Sequence, residues 1–347
     1  NKNFFLTKSI DLIANTKDVS NNFLKSKWEE KIKFIPHQIA FPIVRMNRFF
    51  LKFFKNLKDH EIIFHPYDGN SLLEDSIQNI KLSDDEIKEG WKILNKIGIK
   101  NNSKIVCLDV RDDTYMRSKY PDKDMTRHDL RNCDIQKLIP SVKFLNEKGY
   151  HVFRMGRLVE KKMNYRDEKY FEYCSSDIQS DFLDVFIASI CEFVISTATG
   201  WAAVATFNFR KPAMFYNCVS ILELMTHSKK FVLSTKIYFS KKLKRNLNLI
   251  EIMQNYSFIV QDKNKLNEII LKEHDENELL SILIEFLDKK KMNFNFSTDS
   301  EKKKINDKFW KIYSEQLEIL KTKYSHKFVH KNHGKFLSNI STEFIKN

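Results

Sequence analysis

Glycine is scarce here, seven in 347 residues, and no two glycines fall as G-x-G. Gly69, Gly90, Gly98, Gly149, Gly156, Gly200 and Gly334 therefore form neither a dinucleotide fingerprint nor a P-loop, which need close-set glycines to bring backbone N–H groups onto phosphate. The five cysteines are odd in number and lack C-x-x-C spacing. That excludes a paired-thiol zinc site and fits a reducing, cytoplasmic setting. Neither H-E-x-x-H nor G-x-S-x-G occurs. No apolar run reaches the ~18–20 residues that span a bilayer, and the first residues do not read as a signal peptide. Asp122-Lys123-Asp124 has D-x-D spacing but no apolar strand before it, so neither a metal nor a cofactor is expected.

Charge is plentiful and unevenly placed. Of the net +14, residues 1–60 carry +7 (12 Lys/Arg against 5 Asp/Glu) and residues 301–347 carry +6 (11 against 5). Basic ends suit an acidic lipid, nucleic-acid or phosphorylated partner, or simply a solvated lysine surface. From Phe41 to Lys58, Met46, Phe49, Phe50, Phe53, Phe54 and Leu57 recur at helical spacing, while Arg45, Arg48, Lys52 and Lys55 fall on another face. The Phe stripe is expected to pack into an N-terminal domain, with peripheral contact to an anionic membrane as the other role.

Strand and helix signals then alternate. Ser83 and Glu86 are spaced as a capping box for a helix through Trp91, Leu94 and Ile97 that stops at Gly98. Strands are expected at Ile62–Phe64, Ile105–Val110, Tyr150–Phe153, Phe193–Ile195, Ala213–Tyr216, Phe231–Tyr238 and Phe258–Val260. Helices are expected at Asp134–Lys148, Asp177–Cys191, Trp201–Phe207, Leu247–Met253, Asn277–Leu287 and 301–324. The last twenty residues are polar and order only by docking elsewhere. Alternation of this kind implies a parallel sheet covered on both faces.

Three of these strands end in loops suited to an anion. Arg111 follows the first strand, where its guanidinium can grip a diphosphate or pair with Asp112 or Asp113. Arg154-Met155-Gly156 follows the second, either approaching a ligand or forming a turn beside a surface Arg. Ser196-Thr197-Ala198-Thr199-Gly200 follows the third and sets hydroxyls and N–H groups at a helix start, for a phosphate or for N-capping by Thr199. Asp181 either caps its own helix or accepts from a ligand hydroxyl or amine. Arg127-His128-Asp129-Leu130-Arg131-Asn132 puts a titratable His beside a carboxylate, as general-base chemistry needs, although a loop His is often just solvated. Tyr115 and Tyr120 stack on a base or sugar, or anchor their loop.

The runs Leu82–Ile99, Arg111–Tyr115, Arg127–Ile135, Gly149–Gly156 and Ser175–Gly200, taken in order, resemble a bacterial family of GT-B glycosyltransferases of surface polysaccharide and glycan synthesis. More distantly, Arg111 and Ser196–Gly200 are similar to the diphosphate-contacting motifs of fucosyltransferases. The resemblance implies an α/β fold of two Rossmann-like domains with parallel sheets facing a cleft. An acceptor domain is expected at 1–95, truncated at its start, a nucleotide-sugar domain at 96–300, and a helical segment at 301–347 that packs back on the first. It also implies sugar transfer, without a metal, from a nucleotide-diphosphate donor to a glycan or lipid-linked hydroxyl, with no nucleic acid as partner. Arg111, Tyr115, Arg131, Asn132, Arg154, Gly156, Asp181, Ser196, Thr197, Thr199 and Gly200 would hold the donor. Asp112, His128 and Asp129 are alternative bases. Asp109 departs from the pattern, standing where His is frequent, and Cys133 replaces Ser. The other readings are a transferase with another activated phosphate donor and a non-catalytic polyanion-binding module.

Overall fold

A computed structural model describes residues 12–15, 19–53, 74, 78, 80–260, 262–295, 301–323 and 336–342. The chain forms two compact units, Asn1–His65 with Ser180–Val185, and Pro66–Gln179 with Phe186–Asn347. In the first, β1 (Leu12–Asn15) pairs in parallel with β2 (Lys33–Pro36). Between them lies α1 (Asn22–Glu29), N-capped by Asn21, whose side chain accepts from the Leu24 N–H. Helix α2 (His37–Phe53) follows. The expected inward packing of its Phe stripe is not found in the described part: Met46, Phe49, Phe50 and Phe53 are exposed, and Phe54 and Leu57 lie outside the described residues. The expected strand Ile62–Phe64 lies outside the described residues.

In the second unit α3 (Asp84–Lys96) carries the expected capping box. The Glu86 N–H donates to Ser83 Oγ at 3.2 Å, and the Ser83 N–H to Glu86 Oε2 at 2.7 Å. Then come β3 (Lys104–Asp109), α4 (Thr114–Lys119), α5 (Thr126–Asp129), α6 (Ile139–Glu147), β4 (Tyr150–Arg154) and β5 (Tyr170–Phe171). They are followed by α7 (Asp181–Ile190), whose residues through Val185 count with the first unit, β6 (Phe193–Ser196), α8 (Gly200–Ala203), β7 (Ala213–Cys218) and β8 (Phe231–Thr235). A smaller antiparallel sheet of β9 (Ile237–Ser240), β10 (Arg245–Asn246) and β11 (Ile269–Lys272) encloses α9 (Leu249–Tyr256) and α10 (Lys263–Glu268) in sequence. The chain finishes with α11 (Glu276–Lys291), α12 (Glu301–Lys323) and β12 (Asn339–Ile340).

Seven strands form one parallel, Rossmann-like sheet in the order β5-β4-β3-β6-β7-β8-β12. Ile105–Asp109 are all buried, as in a sheet covered on both faces. On one face Val106, Leu108 and Ile195 pack with Val142 and Leu145 of α6 and Leu283 and Phe286 of α11. Each such side chain, fully buried, contributes about 1.5–3 kcal/mol. Cys107 turns the other way, and its free thiol shares a hydrogen bond with that of Cys191, just past α7. The chain runs outward from β3 through β4 to β5, then returns to β6 on the other side of β3 and continues outward. The order therefore reverses between β3 and β6, and the crevice outside their carboxyl ends is where such sheets take ligands.

Several expectations need correction. The strand Phe231–Tyr238 breaks at Lys236 into β8 and β9, which belong to different sheets. Residues 258–260 form a turn, and β11 supplies the edge strand instead. The polar stretch after Arg111 contains α4 and α5. The expected helix Trp201–Phe207 is α8 followed by a π-turn, Val204–Asn208. In the division into compact units α3 counts with the sheet. Helix α12 packs on elements of its own unit: Gln254 Nε2 donates to Gln316 Oε1 at 3.0 Å, and Tyr313 OH to the Ile221 carbonyl at 3.1 Å.

Candidate functional site

The loops after β3 and β6 are knitted together at the point of reversal. Asp109 is in register with Ser196. The Thr197 N–H donates to the Asp109 carbonyl at 3.3 Å, and the Arg111 N–H to Thr197 Oγ1 at 2.9 Å. Ala198 takes φ +60°, turning the chain so that Thr199 caps α8. The Asp109 carboxylate, 4% exposed, accepts from the Thr199 hydroxyl and, at 3.0 Å, from the Ala202 N–H. The protein's own carboxylate thus sits at the start of α8. Thr197 is buried in these bonds, and Ser196, also buried, accepts from the Thr199 N–H at 3.4 Å. Gly200 is exposed, and a Cβ added there would meet open space.

Two guanidiniums meet beside this loop. Arg131 Nη2 donates to the Ala198 carbonyl at 2.7 Å, holding the left-handed residue. Burial and then the Arg131 charge press the Arg111 pKa below its ordinary value, against Asp112, Asp129 and Asp113. Arg111 Nε is buried with no hydrogen-bond partner among the described residues. The nearby carboxylates are turned elsewhere. Asp112 accepts from the Thr114 N–H and the Glu160 N–H, both at 3.1 Å, and stands 3.9 Å from Arg154 Nη2. Asp113 pairs with Arg117 Nε. Asp129 accepts from Arg117 Nη2 at 2.8 Å through Oδ2, while its Oδ1 is buried without a hydrogen-bond partner among the described residues.

The rest of the expected site separates. Arg154 is not at an open rim: it is 1% exposed, donates to the Lys161 carbonyl and lies 3.8 Å from Glu172. Its charge is met inside the protein. Gly156 takes φ +139°, and an added Cβ would meet Val159 at 3.0 Å, so this glycine serves a tight turn. Asp181 counts with the first unit, where it accepts from the Asn22 N–H at 2.7 Å. His128 and Tyr115 are half-buried on α5 and α4, with Lys119 Nζ 5.9 Å from the Tyr115 ring. The Asn132 carbonyl accepts from Lys236 Nζ at 2.7 Å.

Sequence reasoning missed a second polar group at the ends of β7 and β8. Lys236 is buried 3.5 Å from Glu273, and Asn217, at φ +48°, accepts from the His274 N–H at 3.0 Å. The signal was the run Ser234-Thr235-Lys236, too polar for the middle of a buried strand. Burial pushes the thiols of Cys133 and Cys218 up to about 12, so neither is a nucleophile near neutral pH. Elsewhere among the described residues a hollow of about 540 Å³ lies over α3 at Trp91 and another of about 250 Å³ beside Phe144 and Leu287. No cluster of three metal-ligating side chains occurs among the described residues. Comparison with protein-family models, curated proteins and solved structures finds no match to this chain.

Proposed function

We propose that this chain is a glycosyltransferase that holds the diphosphate of a nucleotide-sugar donor outside β3 and β6, with Arg111 as the gripping cation. The observation that carries this reading is Arg111 itself. It stands at the strand-order reversal, with Nε unpaired among the described residues while Asp112 and Asp113 face other groups. A partly desolvated guanidinium with carboxylates nearby but none in an ion pair with it among the described residues suits an anionic ligand, and its planar fork matches two phosphate oxygens. The five sequence runs that resemble the glycosyltransferase family lend support.

Chemically, sugar transfer loads negative charge onto the leaving diphosphate as the glycosidic bond breaks. Arg111 opposes that charge directly, and Arg131 adds a second positive charge while shaping the loop. The attacking hydroxyl must lose a proton. Asp112 is occupied by two backbone N–H groups and the Arg154 charge, whereas Asp129 keeps Oδ1 without a partner among the described residues. Asp129 is therefore the preferred base, with His128 next to it the alternative. In a GT-B arrangement the N-terminal unit would take the acceptor, a glycan or lipid-linked hydroxyl.

A thermal-shift panel of UDP, GDP, CDP, ADP and CMP tests this. One nucleoside diphosphate at about 100 times its Kd adds about 2.7 kcal/mol, and Arg111→Ala abolishes the shift. Silence across the panel together with salt-sensitive binding of polyanions would favour a non-catalytic binding module instead.

A further inference from the structure

Among the described residues, helix α2 carries an unpartnered apolar face of a definite shape. At about 100° per residue, Phe49, Phe53, Met46, Ile39, Phe50 and Ile43 fall in one arc about 120° wide. All six are exposed, from 45% at Phe50 to 67% at Phe53. Ala40, on the other side of the helix, is buried. An apolar stripe of that width normally faces a core. Here it faces outward, along 17 residues or about 25 Å of helix.

We infer that this face of α2 docks flat on an anionic lipid bilayer. The choice of occupant rests on charge. His37–Phe53 contains Arg45, Arg48 and Lys52 and no Asp or Glu, within a stretch of sixty residues at +7. The Arg45 guanidinium lies over the Phe41 ring at 4.9 Å, at the margin of the apolar arc. A second copy meeting this face symmetrically would set the basic flank against its own charge, and an apolar protein partner would leave it without opposite charge. A bilayer surface supplies both, acyl boundary for Phe, Ile and Met and phosphate for the cations. No helix among the described residues is long and apolar enough to cross a membrane, so α2 lies in the interface plane. The docking face is independent of the donor reading.

Co-sedimentation of the full chain with vesicles tests it, using phosphatidylcholine with and without phosphatidylglycerol at low and high salt. The expected result is binding at least about tenfold tighter to the anionic vesicles, weakened by salt. The double variant Phe49→Glu/Phe53→Glu should lose at least about tenfold and keep its melting temperature, because both side chains are already in water. In Phe50→Trp, lipids brominated in the acyl chain should quench the new indole. Equal binding to both vesicle types, retained binding by the double variant, or absence of quenching would overturn the inference. So would a dimer, seen by light scattering, that the double variant dissolves, since a second copy would then be the occupant.

Discussion

A buried carboxylate needs partners within reach, and Asp109 finds them one strand away, in the Thr199 hydroxyl and the Ala202 N–H. In the sequence it reads only as a departure from a family pattern that often has His. In the fold it fixes the loop against which Arg131 and Arg111 are set. Asp109→Ala would leave the Ala202 N–H without its carboxylate acceptor in a buried place. A bond to a charged group is worth about 1.5–3 kcal/mol, and the melting temperature should fall by several degrees. A nucleotide response, if Arg111 is the gripping group, should survive in weakened form in the folded variant. An unchanged melting temperature would show that Asp109 is not holding the loop. Arg111 stood out in the sequence by its place after a strand, but its isolation did not. Which of three adjacent carboxylates answers which cation depends on the turn that aims Asp112 at Thr114 and Glu160, and no spacing rule encodes that.

At the scale of elements, the long periodic segments were legible: the capping box of α3, the four strands β3, β4, β6 and β7, and helices α6, α11 and α12 follow from apolar spacing and punctuation. Short or two-sided pieces were not. Residues 231–238 read as one strand because both halves are apolar, yet the register runs out at Thr235, and Lys236 turns inward to Asn132 and Glu273. Gly90 gives an element-scale test in which two effects compete. Alanine in a helix interior is worth about 1 kcal/mol over glycine. A Cβ at position 90, however, would lie 2.5 Å from the ring of Phe186, itself fully buried and edge-on to Trp91. Overpacking of this kind costs about 1–3 kcal/mol, so Gly90→Ala should lower stability despite its better helix propensity. Phe186→Leu in the same chain should recover part of the loss. A Gly90→Ala variant more stable than the parent in denaturant titration would mean that α3 shifts freely on α7.

On the scale of the whole molecule, the C-terminal segment changes from an expected polar tail into part of the sheet. Its composition hides this, because the strand is only two residues long and its fastening is polar. β12 pairs in parallel with β8, and the Ser341 N–H donates to the Leu233 carbonyl at 2.8 Å. Trp310 of α12 donates through Nε1 to the Ser338 carbonyl at 2.7 Å and stacks on Phe336 with centroids 5.0 Å apart. Glu285 of α11, nearly buried, accepts through Oε2 from the Ser341 hydroxyl at 3.1 Å and from the Thr342 N–H and hydroxyl at 3.0 and 3.1 Å. A chain ending at Lys323 would lose all of these at once. Glu285 would keep Lys289 at 3.5 Å, and its other oxygen would exchange three protein donors for water. With about 1.5–3 kcal/mol for each bond to a charged group, the loss should reach several kcal/mol. The melting temperature should fall by roughly 10 °C, and β8, newly an open edge, should make the chain prone to associate. Glu285→Gln in the full chain isolates the charge: it should cost less than the truncation, because β12 stays in place. If the shortened chain melts with the parent and keeps the parent's oligomeric state, the C-terminal strand is an ornament of the sheet and not one of its supports.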